Sequence, residues 1–100
     1  MPRAAIAIPE AAIRDICQRY SVKELAVFGS ALRDDFRPDS DVDFLVEFQP
    51  DARIGFLALG RMQQELEELV ERPVDLVPKL GLKPLIRDAV LADREVLYEA

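Results

Sequence analysis

Asp41 and Asp43 stand two residues apart where the apolar segment Val42 to Phe48 begins. In an extended chain alternate side chains share a face, so both carboxylates should point the same way. Two anions held together repel unless a cation sits between them, and Mg²⁺ takes one or two carboxylates plus substrate phosphates in octahedral geometry. Asp43 lies between Val42 and Phe44, and a carboxylate in such apolar company needs a partner. A third acid, Asp75, interrupts the apolar run Val74-Leu76-Val77. If that run is a strand beside Val42–Phe48, Asp75 can reach the pair. A triad of this kind can hold two metal ions that clamp the attacking and leaving oxygens of an in-line displacement. Asp75 could also take the proton of an incoming hydroxyl. Upstream, the apolar Leu25-Ala26-Val27-Phe28 stops at Gly29-Ser30 and leads into a helical turn at Ala31-Leu32-Arg33. A helix start offers unpaired N–H groups and a positive dipole end to anions, Gly29 lets phosphate oxygens approach the backbone, and Ser30 adds a hydroxyl donor. Together these are the parts of a phosphoryl-transfer site.

Each part has a plainer reading. A Gly-Ser pair alone is usually a turn, a lone strand Asp is usually an edge or capping residue, and the five Asp between positions 34 and 43 fit a solvated loop. Their conjunction carries the functional reading. Asp39, Asp41 and Asp43 also match the first ligands of a calcium-binding loop. Phe44 then stands where that loop needs Gly and Pro50 where it needs Glu, so the match fails. No Gly-Lys-Ser/Thr occurs, which removes a P-loop. The chain has no His, so imidazole acid–base work and His-dependent triads are excluded. The single Cys17 excludes an internal disulfide and a multi-thiolate zinc site, and its place on a helical apolar stripe makes it a core residue. Carboxylates, hydroxyls, Arg, Lys and a hard metal ion are what remains.

One hundred residues fit one compact domain, and half of them are hydrophobic. No apolar run approaches the roughly 18 residues of a membrane span, and the first residues lack the apolar stretch of a signal peptide, so a cytoplasmic protein is expected. The net charge of −6, with Lys and Arg scattered, weighs against free nucleic acid as a partner. It suits Mg²⁺ or a basic protein. The elements that must position the acids follow from periodicity. Pro9 opens a helix carrying Ile13, Ile16, Cys17 and Tyr20, and Ser21 breaks it. Strands are expected at Leu25–Phe28 and Val42–Phe48, the latter with Val42, Phe44 and Val46 on one face and Asp43, Leu45 and Glu47 on the other. A helix from Gly55 to Arg72 carries Leu59, Met62, Leu66 and Leu69 inward with Glu65, Glu67 and Glu68 outside, and Pro73 ends it. Val74–Val77 is a third strand, Leu82, Leu85, Ile86, Ala89 and Val90 mark a last amphipathic helix, and Val96–Tyr98 an edge strand. The connection between the first two strands looks too short for a crossover helix, so the sheet is expected to be mixed.

Gly29-Ser30, ten residues, then Asp41-x-Asp43, with Asp75 in a later strand, resembles the signature of the DNA polymerase β-like nucleotidyltransferase superfamily. The likeness extends over nearly the whole chain, through Pro84-Leu85-Ile86-Arg87, and is strongest to the minimal nucleotidyltransferases of the MntA antitoxin type. The resemblance implies one domain over residues 1–100, of α/β class (α+β type), with a small mixed sheet flanked by helices. It implies Asp41, Asp43 and Asp75 as catalytic and metal-binding residues for Mg²⁺, two ions being expected, and ATP as nucleotide donor. Gly29, Ser30, Arg33 and Ser40 are the nucleotide-binding candidates. It further implies a HEPN-domain ribonuclease toxin as partner in a hetero-oligomer, silenced by AMP transfer to a tyrosine, as in a type VII toxin–antitoxin pair. Asp34 stands where many relatives carry Gly. No additional domain is present to grip nucleic acid or a base, which argues against polymerase or tRNA-modifying activity. Two readings follow: an adenylylating enzyme, or an antitoxin that neutralises its toxin by tight complex formation alone. An antibiotic-modifying nucleotidyltransferase would need a second wall around its substrate that so short a chain does not supply.

Overall fold

The computed structural model of the 100-residue chain describes residues 8–28, 41–81 and 84–100, with backbone alone at positions 80, 84–87 and 93. In order come α1 (Glu10–Arg19), β1 (Val22–Phe28), β2 (Val42–Phe48), α2 (Phe56–Val70), β3 (Val74–Pro78), a single 3₁₀ turn (Lys79–Gly81), α3 (Pro84–Asp93) and β4 (Glu95–Glu99). The strands form one sheet in the order β3-β2-β1-β4. β2 and β3 run parallel, with α2 as their crossover, while β1 is antiparallel to both β2 and β4. The sheet is therefore mixed, as expected from the sequence. Among the described residues no helix is long and apolar enough to cross a membrane.

Alternation along the strands divides the sheet into two faces. Val22, Leu25 and Val27 of β1, Val42, Phe44 and Val46 of β2, and Val74 and Leu76 of β3 turn to one face. There they meet Ile13, Ile16 and Cys17 of α1 and Met62, Leu66 and Val70 of α2. This is the main core. Burial pushes the Cys17 thiol up to about 12, so it stays protonated and packs as a small apolar group. On the other face Ala26 and Leu45 are buried, with Phe28, Val77 and the α3 residues Val90 and Leu91 packed against them.

Three details differ from expectation. β1 begins at Val22, three residues before Leu25, because a register shift between Val22 and Glu24 lets Val22 join the same core as Leu25. A strict two-residue period hides such a bulge. In α3 the packed residues described are Val90 and Leu91, with Ala89 exposed, a small rotation of the expected stripe. Glu65 and Glu67 do not simply face water. Glu65 accepts hydrogen bonds from Arg19 at 2.6 and 3.2 Å and from the Tyr20 hydroxyl, tying α2 to the end of α1. Glu67 reaches the outer edge of β3.

Helix ends are set by local chemistry. Pro9 occupies the N-cap of α1 in extended conformation, Glu10 lies in the first turn and Arg19 in the last, complementing the helix dipole. α1 and α2 are each followed by a left-handed residue that is not glycine, Ser21 and Glu71, each at φ 56°. Glu71 caps α2 through its N–H to the Glu67 carbonyl, and Pro73 then prevents continuation.

Two stability predictions follow from these contacts. The Arg19 and Tyr20 hydrogen bonds hold the Glu65 carboxyl below its usual range. A depressed carboxyl contributes stability that is present above its unfolded value, about 4.3, and lost as pH falls through the lower folded value. Glu65→Gln should therefore cost about 1 kcal/mol at neutral pH, and urea titrations should show the gap to wild type shrinking below about pH 4. Glu71→Gly relieves a left-handed position disfavoured by about 1 kcal/mol for an L side chain. Thermal melting of that variant should shift upward by several degrees, about 4 °C or more for a domain of this size.

Candidate active site

The parallel ladder between β2 and β3 pairs Val42 with Val74, Asp43 with Asp75, and Phe44 with Leu76. It is entered by a hydrogen bond from the Val42 N–H to the Pro73 carbonyl at 2.9 Å. Asp43 and Asp75 are thus direct neighbours on adjacent strands, about 4.8 Å apart at the backbone by the spacing of sheet strands. Partners in a ladder point to the same side. Val42, Phe44, Val74 and Leu76 belong to the main core, so the two acids lie on the opposite face, the one shared with Leu45 and Val77. Asp43 is half-buried and Asp75 exposed. Asp41, also exposed, precedes β2 by one residue and Asp43 by two.

Antiparallel pairing adds β1 to the same row. Phe28, the last residue of β1, is the partner of Asp43. Across three strands the second face therefore reads Phe28–Asp43–Asp75, then Ala26–Leu45–Val77, then Glu24–Glu47, with Lys79 beyond β3. The middle row is apolar and carries Val90 and Leu91 of α3. The third row is balanced by cations: Arg94 bonds Glu24 at 2.8 Å, and Lys79 and Lys23 approach Glu47 at 3.1 and 3.8 Å. Arg94 also donates to the Leu91 carbonyl, so this pair fastens the end of α3 to β1. The acid row lies at the opposite end of the face, where β1 stops and β2 and β3 begin.

Gly29, Ser30, Arg33 and Ser40 fall outside the described residues. Their attachment points do not: the chain passes to Gly29 immediately after the partner of Asp43, and Ser40 is bonded to Asp41. Both ends of that segment thus issue from the acid row. Among the described residues, no group of three acidic or sulfur or imidazole side chains is gathered closely enough to enclose a metal ion. Mg²⁺ asks for less than a protein cage, because one or two carboxylates and the substrate's own phosphates complete its shell. Two hard oxygen donors side by side, Asp75 exposed and Asp43 half-buried, fit that demand. The chain has no His and its single Cys lies in the core, so the soft ligands of other metals are not on offer. An open groove of about 300 Å³ lies elsewhere, between α1 and α2 on the core-facing side of the sheet. On its charged rim Arg19 pairs with Asp15 and Glu65, and the groove contributes nothing to the acid row.

Comparison with known proteins identifies the family and the fold. Residues 10–97 match the family described as the nucleotidyltransferase domain. The chain is 40% identical to the protein adenylyltransferase MntA of Thermococcus cleftensis, over 85% of this chain and 82% of that protein. It is 36% identical to a candidate protein adenylyltransferase of Methanocaldococcus jannaschii, over 76% of this chain and 80% of that one. Among solved structures it is similar to a candidate minimal nucleotidyltransferase, with TM-score 0.72, 35% identity and 86% of each chain covered. A toxin–antitoxin structure with AMP-PNP shares the fold at TM-score 0.74 and 19% identity, covering 93% of this chain and 75% of that one. The chain belongs to the nucleotidyltransferase domain family, within its minimal branch, and is a nucleotidyltransferase.

Proposed function

We propose that this nucleotidyltransferase adenylylates a protein: it moves AMP from ATP onto a tyrosine of a helical HEPN-domain ribonuclease toxin and so acts as the antitoxin. The observation that carries the reading is the pairing of Asp43 with Asp75 on the face of the sheet opposite the main core, with Asp41 two residues upstream. The 40% identity to a protein adenylyltransferase supports the acceptor class, and structural likeness to complexes of MntA with HepT supports the kind of partner. An acidic chain of net charge −6 favours encounter with a basic protein.

In this reading Asp41, Asp43 and Asp75 hold Mg²⁺, which when bound neutralises triphosphate charge and polarises the α-phosphorus. Gly29 and Ser30 bind the phosphates through backbone N–H groups and the hydroxyl, and Arg33 and Ser40 contact the nucleotide. Asp75 accepts the proton of the tyrosine hydroxyl as its oxygen bonds to the α-phosphorus. The bond to the β-phosphate oxygen breaks, and pyrophosphate leaves. The reaction requires no histidine, which the chain does not possess. It takes place in the cytoplasm, where ATP and such a toxin meet.

Radiolabel from the α-phosphate of ATP should appear on the partner with Mg²⁺ and disappear on chelation. Asp43→Asn and Asp75→Asn should each lower transfer by about 100-fold or more, since each removes several kcal/mol of charge stabilisation in the transition state. Absence of transfer with any divalent metal would overturn the enzymatic reading. The double variant Asp41→Asn, Asp43→Asn decides between catalysis and sequestration in cells. It should fail to protect against the toxin, whereas full protection would mean that complex formation suffices.

A further inference from the structure

Among the described residues β3 is an edge strand, bordered by β2 on one side only. Alternate N–H groups along it therefore point away from the sheet: those of residues 74, 76 and 78. None is left as an open edge. The Val74 N–H donates to Glu67 Oε2 at 3.0 Å and the Leu76 N–H to Gln63 Oε1 at 3.3 Å. Position 78 is proline and has no N–H to satisfy. The geometry is commensurate. Two strand residues advance about 6.6 Å, four helical residues advance about 6 Å, and α2 returns antiparallel to β3, so Glu67 and Gln63 meet Val74 and Leu76 in turn.

These two bonds bracket Asp75. Its neighbours on both sides are gripped from α2, while its own backbone is held in the ladder opposite Asp43. The five-residue strand is paired on one side, so the two grips from α2 add to the core burial of Val74 and Leu76 in fixing its register, and a slip of one residue would carry Asp75 to the core face. We propose that Gln63 and Glu67 are positioning residues of the acid row: by serving as the missing outer strand of β3, they keep the Asp75 carboxylate beside that of Asp43. The proposal rests on the reading of Asp41, Asp43 and Asp75 as the cation site. Each acts through the backbone on either side of Asp75.

The test titrates Mg²⁺ into the full chain with a non-hydrolysable ATP analogue and follows binding by calorimetry. Gln63→Ala, Glu67→Ala should need about 10-fold more Mg²⁺ for half-saturation, the size of effect typical when supports behind a metal ligand are removed. Glu67→Gln retains a carbonyl acceptor and should stay close to wild type, which separates hydrogen bonding from charge. Glu65→Gln lies on the same helix and loosens α1 without touching β3, so it should leave the Mg²⁺ requirement unchanged despite its lower stability. Faster amide exchange at Val74 and Leu76 in the alanine variants should accompany the shift. Should the double variant not fold, either single alanine variant should show a smaller shift in the same direction. An unchanged Mg²⁺ requirement in the alanine variants, while Asp75→Asn raises it, overturns the positioning role and leaves the site standing. If Asp75→Asn itself changes nothing, the cation site and this proposal fall together.

Discussion

The parallel register of β2 and β3 is the constraint on which the rest depends. It sets Asp43 and Asp75 side by side, where like charges repel at a cost. Left to themselves, two short strands would relieve that cost by slipping or parting. They cannot, because the same register buries Val42, Phe44, Val46, Val74 and Leu76 against α1 and α2. Moving either strand by one residue would exchange that apolar set for the acids. The core face thus enforces an arrangement that the acid row by itself would not adopt, and it does so with a margin that is modest for a domain stable by only about 5–15 kcal/mol.

The two faces consequently have different duties. The α1–α2 face is nearly all apolar and includes the fully buried Phe44, Leu25, Met62 and Leu66. The other face is graded along the strands, from acids at one end, through an apolar row beneath α3, to cation-balanced glutamates at the far end. The placement of α3 follows from that grading. It covers the middle row, where apolar area is to be gained, and is fastened at its end through Arg94 to Glu24, away from the acids. Val90, Leu91 and Arg94 thus engage the middle and far rows of this face, not the acid row.

Much of this was legible from residue types and spacing. The alternation Val42-Asp43-Phe44-Leu45-Val46-Glu47 has one outcome in a sheet with a single strongly apolar face, and the structure buries Val42, Phe44 and Val46 together. Cys17 was legible for the same reason, as one more apolar position on the α1 stripe. Less legible were features that depend on partners distant in sequence. Val22 joins the core only through a bulge, which breaks the period by which strands are recognised. Glu65 and Glu67 look like members of a solvated helical face, since nothing local distinguishes them from Glu68. Their neighbours in space, Arg19 and Tyr20 for one and the Val74 amide for the other, are supplied by the tertiary fold. Of the site, Asp41, Asp43 and Asp75 are read from spacing and the register from structure, whereas Gly29, Ser30, Arg33 and Ser40 are argued from sequence alone.

Economy of length explains why α2 carries so much. In a chain of 100 residues one helix must serve as the crossover that makes β2 and β3 parallel, as half of the main core, and as the cover for the outer edge of β3. These duties fall on separate stripes of the same helix. Met62, Leu66 and Val70 face the core, Gln63 and Glu67 turn toward β3, and Glu65 turns toward α1. Larger proteins can assign an additional strand to protect an edge and a separate helix to brace a domain. Here the polar residues of a single helix do both, so residues two positions apart on α2 differ in what they control. Loss of Glu65 loosens how two helices are joined, whereas loss of Glu67 reaches the strand that carries Asp75. The fold is small because its connections are also its supports, and for the same reason its acid row is sensitive to side chains that never meet the substrate.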